Sequence, residues 1–162
     1  MEESLRTDSS FSDAVNKHTN MLIRVAFSYT KNIIDAQDIV QEVFLKLLEN
    51  NPVFVSDEHE KAWLIRVTVN LCRNLFKTVW SKRIVQLDEK MSSLPPQENE
   101  VLSAVLELPS DYRIVVYLFY FEQYSIKEIA SILKRRDNTV GSQLYRARKL
   151  LKTKLKEDFD DE

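Results

Sequence analysis

Glycine is nearly absent from this 162-residue chain, with Gly141 the only one. β-Hairpins, nucleotide-cradling loops and tight catalytic turns draw on glycine wherever φ is positive, so a chain this poor in it is predicted to be mostly helical. Phosphate-binding loops of the GxGxxG or GxxxxGKS/T kind and the GxSxG nucleophile elbow are excluded, because each needs at least two closely spaced glycines. One cysteine and two histidines leave no zinc cluster, and no metal or cofactor is expected. Cys72 lies in an apolar helical stretch and reads as a small buried thiol. A lone cysteine cannot form a disulfide within the chain, which fits a reducing cytoplasm. Long hydrophobic runs are missing too: the longest, residues 114–121, falls far short of the roughly 18 residues of a membrane span, so no membrane insertion is expected. Residues 1–10 are acidic and polar, unlike a signal peptide.

The formal net charge is -2, but its signs are segregated along the chain. Residues 61–83 hold six basic side chains and no acid, while 125–156 hold ten basic residues against Glu128 and Asp137. Five of the last six residues, 157–162, are acidic. Clustered cations with few acids among them form an electrostatic footprint for phosphate.

Periodicity divides the chain into helices. Val15, Leu22, Ile23, Ala26, Phe27 and Thr30 mark a first amphipathic helix over 11–30, followed by a break at 31–34. Asp35 is expected to cap a second helix whose apolar positions are Ala36, Ile39, Val40, Val43, Phe44, Leu47 and Leu48. Asn50, Asn51 and Pro52 stop it, residues 53–60 form a loop, and a long helix runs from about His59 to Trp80. Residues 84–98, with Ser92, Ser93, Pro95 and Pro96, have the composition of an exposed linker. A short helix follows over 99–107, then one capped by Ser110 and running to Phe121. Ser125 and Glu128 form a capping box opening a helix to Leu133. After a turn at 134–138, a last helix carries Val140, Leu144, Ala147 and Leu151 on one face. The expected architecture is all-α, with two small helical domains, a three-helix bundle over 11–83 and a helix-turn-helix domain over 99–157. A flexible linker (84–98) joins them, with a disordered N-terminus (1–10) and an acidic tail (158–162).

In a helix-turn-helix the second helix enters the major groove while the first braces it against the backbone. Arg136, Asn138, Thr139, Ser142, Gln143, Tyr145, Arg146 and Lys149 lie on or near the face that the apolar stripe leaves free. Their side chains suit base edges and phosphate. A solvated basic helix is the competing reading. In the first half, Arg66, Asn70, Arg73 and Lys77 recur at i, i+4, i+7 and i+11, flanked by Asn74. Trp63, Phe76 and Trp80 are near enough to offer aromatic surface to an unstacked base, although packing in the core competes for each of them.

The segment 35–47, DAQDIVQEVFLKL, resembles the DAEDLVQEVFLRL signature in region 2 of extracytoplasmic-function (ECF) sigma factors. Ala62-Trp63-Leu64-Ile65-Arg66-Val67 with Asn70-Leu71 is similar to the AWLxRIAxNL stretch that follows it. Leu108-Pro109 with Tyr112-Arg113, Glu128-Ile129-Ala130, and Thr139-Val140 through Arg146-Ala147-Arg148 resemble that family's region 4. The resemblance implies a bacterial protein that binds core RNA polymerase and directs promoter-specific initiation. The signature helix would dock on the clamp coiled coil of the largest subunit through Asp38, Gln41, Glu42 and Leu45, with the flap as a second polymerase contact. Residues 53–60 and the third helix, through Trp63, Arg66, Asn70, Arg73, Asn74 and Lys77, would melt and capture the minus-10 element. The last helix would read the minus-35 element as duplex. An anti-sigma factor is a partner that the resemblance allows. The chain departs from the family at Lys134-Arg135, where a Gly-Ile pair is usual, and at Gly141, where a Lys or Arg is usual. A stand-alone helix-turn-helix regulator would explain the second half and leave the signature helix without a role. An enzyme lacks any converging set of acid, base and nucleophile.

Overall fold

A helix leaves backbone groups unpaired at both of its ends, and neighbouring residues must satisfy them. The computed structural model shows which residues do so, describing the backbone of residues 2–90 and 100–160 and the side chains of 9–75, 101 and 103–156. Among the described residues there are helices and no strand, grouped in two compact units, Met1–Trp80 and Ser81–Glu162.

The first unit holds α1 (Glu2–Thr30), α2 (Ile33–Asn50) and the greater part of α3 (Asp57–Lys90). The backbone of α1 is helical from Glu2, so residues 2–10 are not the disordered terminus expected; no glycine or proline interrupts residues 2–30. The buried stripe of α1 is Ala14, His18, Met21, Leu22, Val25, Ala26, Tyr29 and Thr30, turned slightly from the expected one, with Val15, Ile23 and Phe27 only half-buried. The break before α2 is confined to Lys31 and Asn32, and Asn32, not Asp35, caps the new helix. The Asn32 Oδ1 accepts from the N–H groups of Ile34 (2.9 Å) and Asp35 (3.2 Å). Asp35 instead lies in the first turn, where its carboxylate faces the positive end of the helix dipole. Ala36, Ile39, Val40, Val43, Phe44 and Leu47 are buried as expected, but Leu48 is 47% exposed. Asn51 ends α2 in the left-handed conformation (φ 41°), its N–H reaching the Leu47 carbonyl.

α3 begins two residues earlier than its periodicity predicts, because Ser56 caps it. The His59 N–H donates to the Ser56 hydroxyl at 3.1 Å, and Asp57, Glu58 and Glu60 fill the first turn. It continues to Lys90, beyond Ile84 where the linker was expected; no proline or glycine stands between Pro52 and Pro95. The remainder of that linker, 91–98, lies outside the described residues. Leu64, Ile65, Val69 and Cys72 are in the core, and burial pushes the Cys72 thiol up to about 12, the inert state its surroundings predict. His18 is buried against α3 with its Nε2 3.8 Å from a Glu60 carboxylate oxygen. Desolvation holds this imidazole below its usual range in spite of Glu60, with Lys17 and Lys61 acting in the same direction.

The second unit contains α4 (Glu100–Leu106), α5 (Ser110–Val116), α6 (Ile126–Leu133) and α7 (Asp137–Asp160). α7 packs on α4, α5 and α6 around Ile114, Val115, Leu118, Ile129, Leu144 and Ala147. Two expectations fail here. Pro109, not Ser110, holds the cap position of α5, and no side chain caps it. The helix does not run regularly to Phe121 either, since it loosens into a π-helical turn, Tyr117–Phe121, with the Glu122 N–H bonded to the Tyr117 carbonyl. The capping box is present in full: the Glu128 N–H donates to the Ser125 hydroxyl, and the Ser125 N–H donates to the Glu128 carboxylate, both at 3.1 Å. Lys134 closes α6 in the left-handed conformation (φ 54°).

Gly141 sits inside α7 with no positive φ, and a Cβ built there meets nothing within 4 Å. Gly141→Ala is therefore expected to stabilise the second unit by up to about 1 kcal/mol, the helix-propensity difference of the two residues. A denaturant titration followed by helical circular dichroism measures it, and an unchanged or lower midpoint would show that the glycine meets a constraint beyond its own helix.

Candidate nucleic-acid interface

Two faces of the second unit are set by how α7 seats itself. Val140, Leu144 and Ala147 turn inward against the core, with Leu151 half-buried at the end of the stripe. The opposite face carries Asn138, Ser142, Tyr145, Arg146 and Lys149, all exposed, with Thr139 and Arg136 exposed beside it. Asn138, Gly141, Ser142, Tyr145, Arg146 and Lys149, together with Ile126 and Asp137, line an open groove of about 780 Å³. The Lys149 ammonium lies 4.8 Å from the Tyr145 ring centroid, so the cation and the ring form one amphipathic ridge. Hydroxyl, amide and guanidinium groups along one helix face can donate to base edges and phosphate oxygens.

Some cations of this segment are engaged within the unit. The Arg148 Nε donates to the Tyr120 hydroxyl at 2.6 Å, and its guanidinium lies 5.3 Å from the Phe119 ring centroid, tying α7 to the π turn. Arg135, in the turn where the chain departs from the family, is turned inward, its side chain only 10% exposed. It donates from Nη2 to the Asp111 carboxylate (3.1 Å) and from Nη1 to the Gln143 side-chain oxygen (2.8 Å), so Gln143 is half-buried and already engaged. Arg113 is 6% exposed and donates to the carbonyls of Leu108 (2.6 Å) and Leu106 (3.4 Å), satisfying groups left over where α4 ends. Sequence reasoning assigned no role to Arg113. The proline four residues before it, which ends one helix and opens the next, was the available signal.

In the first unit, α2 presents Asp38, Gln41, Glu42 and Leu45 to solvent, the side chains expected on its outer face. Leu45 is 56% exposed, and Ile34 (59%) and Leu48 (47%) extend its row at i-11 and i+3, two apolar residues that sequence reasoning left out of the face. On α3, Asn70 and Asn74 are exposed while Arg66 and Arg73 are half-buried; the Lys77 side chain lies outside the described residues, as do those of Phe76 and Trp80. Trp63 is half-buried, its ring 5.7 Å edge-on to Phe54, which is itself edge-on to His59 at 5.3 Å. Val53 and Val55, on the loop before α3, are about nine-tenths exposed. Among the described residues no group of side chains is arranged to hold a metal ion, and no helix is long and apolar enough to cross a membrane.

Residues 14–82 match the family model of Sigma-70 region 2, and residues 98–151 match that of Sigma-70, region 4. The RNA polymerase sigma factor SigV of Bacillus subtilis is 32% identical over 166 residues, an alignment covering 98% of this chain and 99% of the relative. The ECF RNA polymerase sigma factor SigW of the same organism is 25% identical, covering 91% of this chain and 89% of its own. Of solved structures, CnrH in complex with the cytosolic domain of CnrY aligns with a TM-score of 0.67 at 25% identity, covering 93% of this chain and 90% of that one. The sigma factor RpoE of Bartonella quintana, in complex with the anti-sigma factor NepR, shares the fold at a TM-score of 0.66 and 23% identity, covering 91% and 97%. Two sigma modules in family order, on a chain matched almost end to end by a sigma factor, place this protein in the sigma-70 family as one of its ECF sigma factors.

Proposed function

We propose that this chain binds core RNA polymerase and directs promoter-specific initiation of transcription, with no catalytic role of its own and with the cytoplasm as its place of work. The observation that carries this reading is the pairing of two different exposed faces, one on each of the two compact units. One, on α2, mixes Asp38, Gln41 and Glu42 with the bare leucines Leu45 and Leu48. Apolar side chains rimmed by acids suit a protein partner. The other, on α7, is polar and cationic, as a duplex requires.

In this reading α2 docks on the clamp coiled coil of the largest polymerase subunit. Residues 53–60 and α3, with Trp63, Arg66, Asn70, Arg73, Asn74 and Lys77, open the minus-10 element. The α7 face, with Arg136, Asn138, Thr139, Ser142, Gln143, Tyr145, Arg146 and Lys149, reads the minus-35 element, while the second unit also meets the polymerase flap. Residues 11–83 act as region 2, 84–98 as the connector and 99–157 as region 4. An anti-sigma factor is a further partner, by analogy with the NepR-bound relative.

The decisive experiment is transcription from a cognate promoter by purified core polymerase with and without this chain. No complex with core at any salt concentration, together with no promoter-dependent transcript, overturns the reading. Glu42→Lys tests the docking face: the residue is exposed, so the fold is expected to persist while affinity for core falls by about 1 kcal/mol, more at low salt than at high. Unchanged affinity for core removes Glu42 from the interface.

A further inference from the structure

The turn between α6 and α7 holds a side-chain clamp that bears on which base can be read. Arg135 is fixed at its backbone, its N–H bonded to the Ala130 carbonyl at 2.9 Å, and its side chain is only 10% exposed. The guanidinium is anchored on α5 by the Asp111 carboxylate (3.1 Å) and backbone carbonyl (3.3 Å), and from there it reaches the Gln143 side-chain oxygen at 2.8 Å.

A guanidinium has donors and no acceptor, so the atom facing it must be the amide oxygen of Gln143. That fixes the rotation of the amide, with the oxygen turned toward the turn and the NH2 group left for whatever α7 meets. Thr139 and Arg146, four residues before and three after Gln143, stand exposed on the same side of the helix. Glutamine reads adenine by offering both atoms, accepting from N6 and donating to N7. Held toward the turn by Arg135, that oxygen faces away from a base edge, and Gln143 is left its NH2 group to present.

We propose that Arg135 is a specificity-positioning residue. By holding the Gln143 oxygen inward it makes Gln143 a donor-only reader, directed to acceptor-rich base edges (guanine O6 and N7, thymine O4) and away from bidentate adenine. This rests on the assignment of α7 to the minus-35 element.

The test is selection of promoter duplexes randomised across the minus-35 element, by the full chain bound to core polymerase, with the base distribution of the bound pool read by sequencing. Arg135→Met keeps the aliphatic stem and frees the amide; one base pair is expected to shift toward adenine by about tenfold, the discrimination of a good bidentate contact. Arg135→Lys still presents only donors to the oxygen and is expected to keep the parent distribution, which a merely structural role for the arginine would not require. Gln143→Glu preserves a partner for Arg135 and loses the outward donor, so the same base pair is expected to lose its preference for acceptors, which keeps the proposal testable if Arg135→Met fails to fold. A parent distribution in folded Arg135→Met, or in Gln143→Glu, overturns the clamp. A parent protein with no base preference at the minus-35 element overturns instead the assignment of α7 on which it rests.

Discussion

Leu144→Ala is expected to unfold the second unit in a large share of molecules while the first stays intact. Leu144 is 1% exposed at the centre of the α7 face that packs against α5 and α6. Truncating a fully buried leucine costs about 2–5 kcal/mol, because the lost transfer energy is joined by the cavity left behind. A unit of roughly 60 ordered residues has a total stability of only about 3–9 kcal/mol, so the loss is comparable to everything holding it together. The first unit has its own buried set, Leu22, Val25, Leu64 and Ile65 among them, and is expected to melt on its own. Hydrogen exchange separates the two outcomes. Amides of α6 and α7 should lose protection in the variant, while those of α2 and the first half of α3 should keep it. Equal loss in both units would mean that they unfold as one, and undiminished protection in α7 would mean that the site collapses around the smaller side chain.

Arg146→Ala is expected to weaken promoter binding by about 1–3 kcal/mol if the guanidinium reads a base. Arg146 is exposed on the groove face of α7 beside Ser142 and Lys149, and its removal disturbs no core contact, so the loss should come without a change in stability. The shape of the effect identifies the contact. A base reader loses affinity mainly for its preferred sequence, whereas a phosphate contact loses it uniformly and lowers the salt slope by about one. A change below a few tenths of a kcal/mol would make Arg146 an ordinary surface charge. Arg148→Ala is the control, since Arg148 is held by Tyr120 and Phe119 and its loss should appear in stability.

Features carried by short spacings were legible before any coordinates. The Ser125–Glu128 capping box, the stop at Asn50-Asn51 and the α2 core from Ala36 to Leu47 are local patterns in which each residue meets another within a few positions. Misread features depend on competition or distance. Asp35 looks as good a cap as Asn32, and only the backbone corner at Lys31 decides between them. Residues 117–121 are all apolar or aromatic, so a register slip of one residue within them leaves no trace in the periodicity. Leu48 fits the apolar stripe by spacing, yet lies at its edge and faces water. In the candidate site, the outward residues of α7 followed from the inward ones. The inward turn of Arg135 did not, because Asp111, which anchors it, stands 24 residues away.

The chain's one glycine and its left-handed residues are distributed in the reverse of the usual way. Lys31, Asn51, Gln123 and Lys134 all carry side chains at positive φ, while Gly141 occupies an ordinary helical position. A side chain in the left-handed region costs about 1 kcal/mol or more for residues other than glycine and asparagine, and glycine within a helix costs a similar amount. Lys134 and Gly141 are seven residues apart, so both penalties fall on the turn and opening turns of α7. Each lowers the helical stability of that segment relative to a chain with glycine at 134 and alanine at 141. The packing of Val140 and Leu144 and the hold of Asp111 on Arg135 offset those costs, so the first turns of α7 keep their helical form through tertiary contacts rather than through local preference.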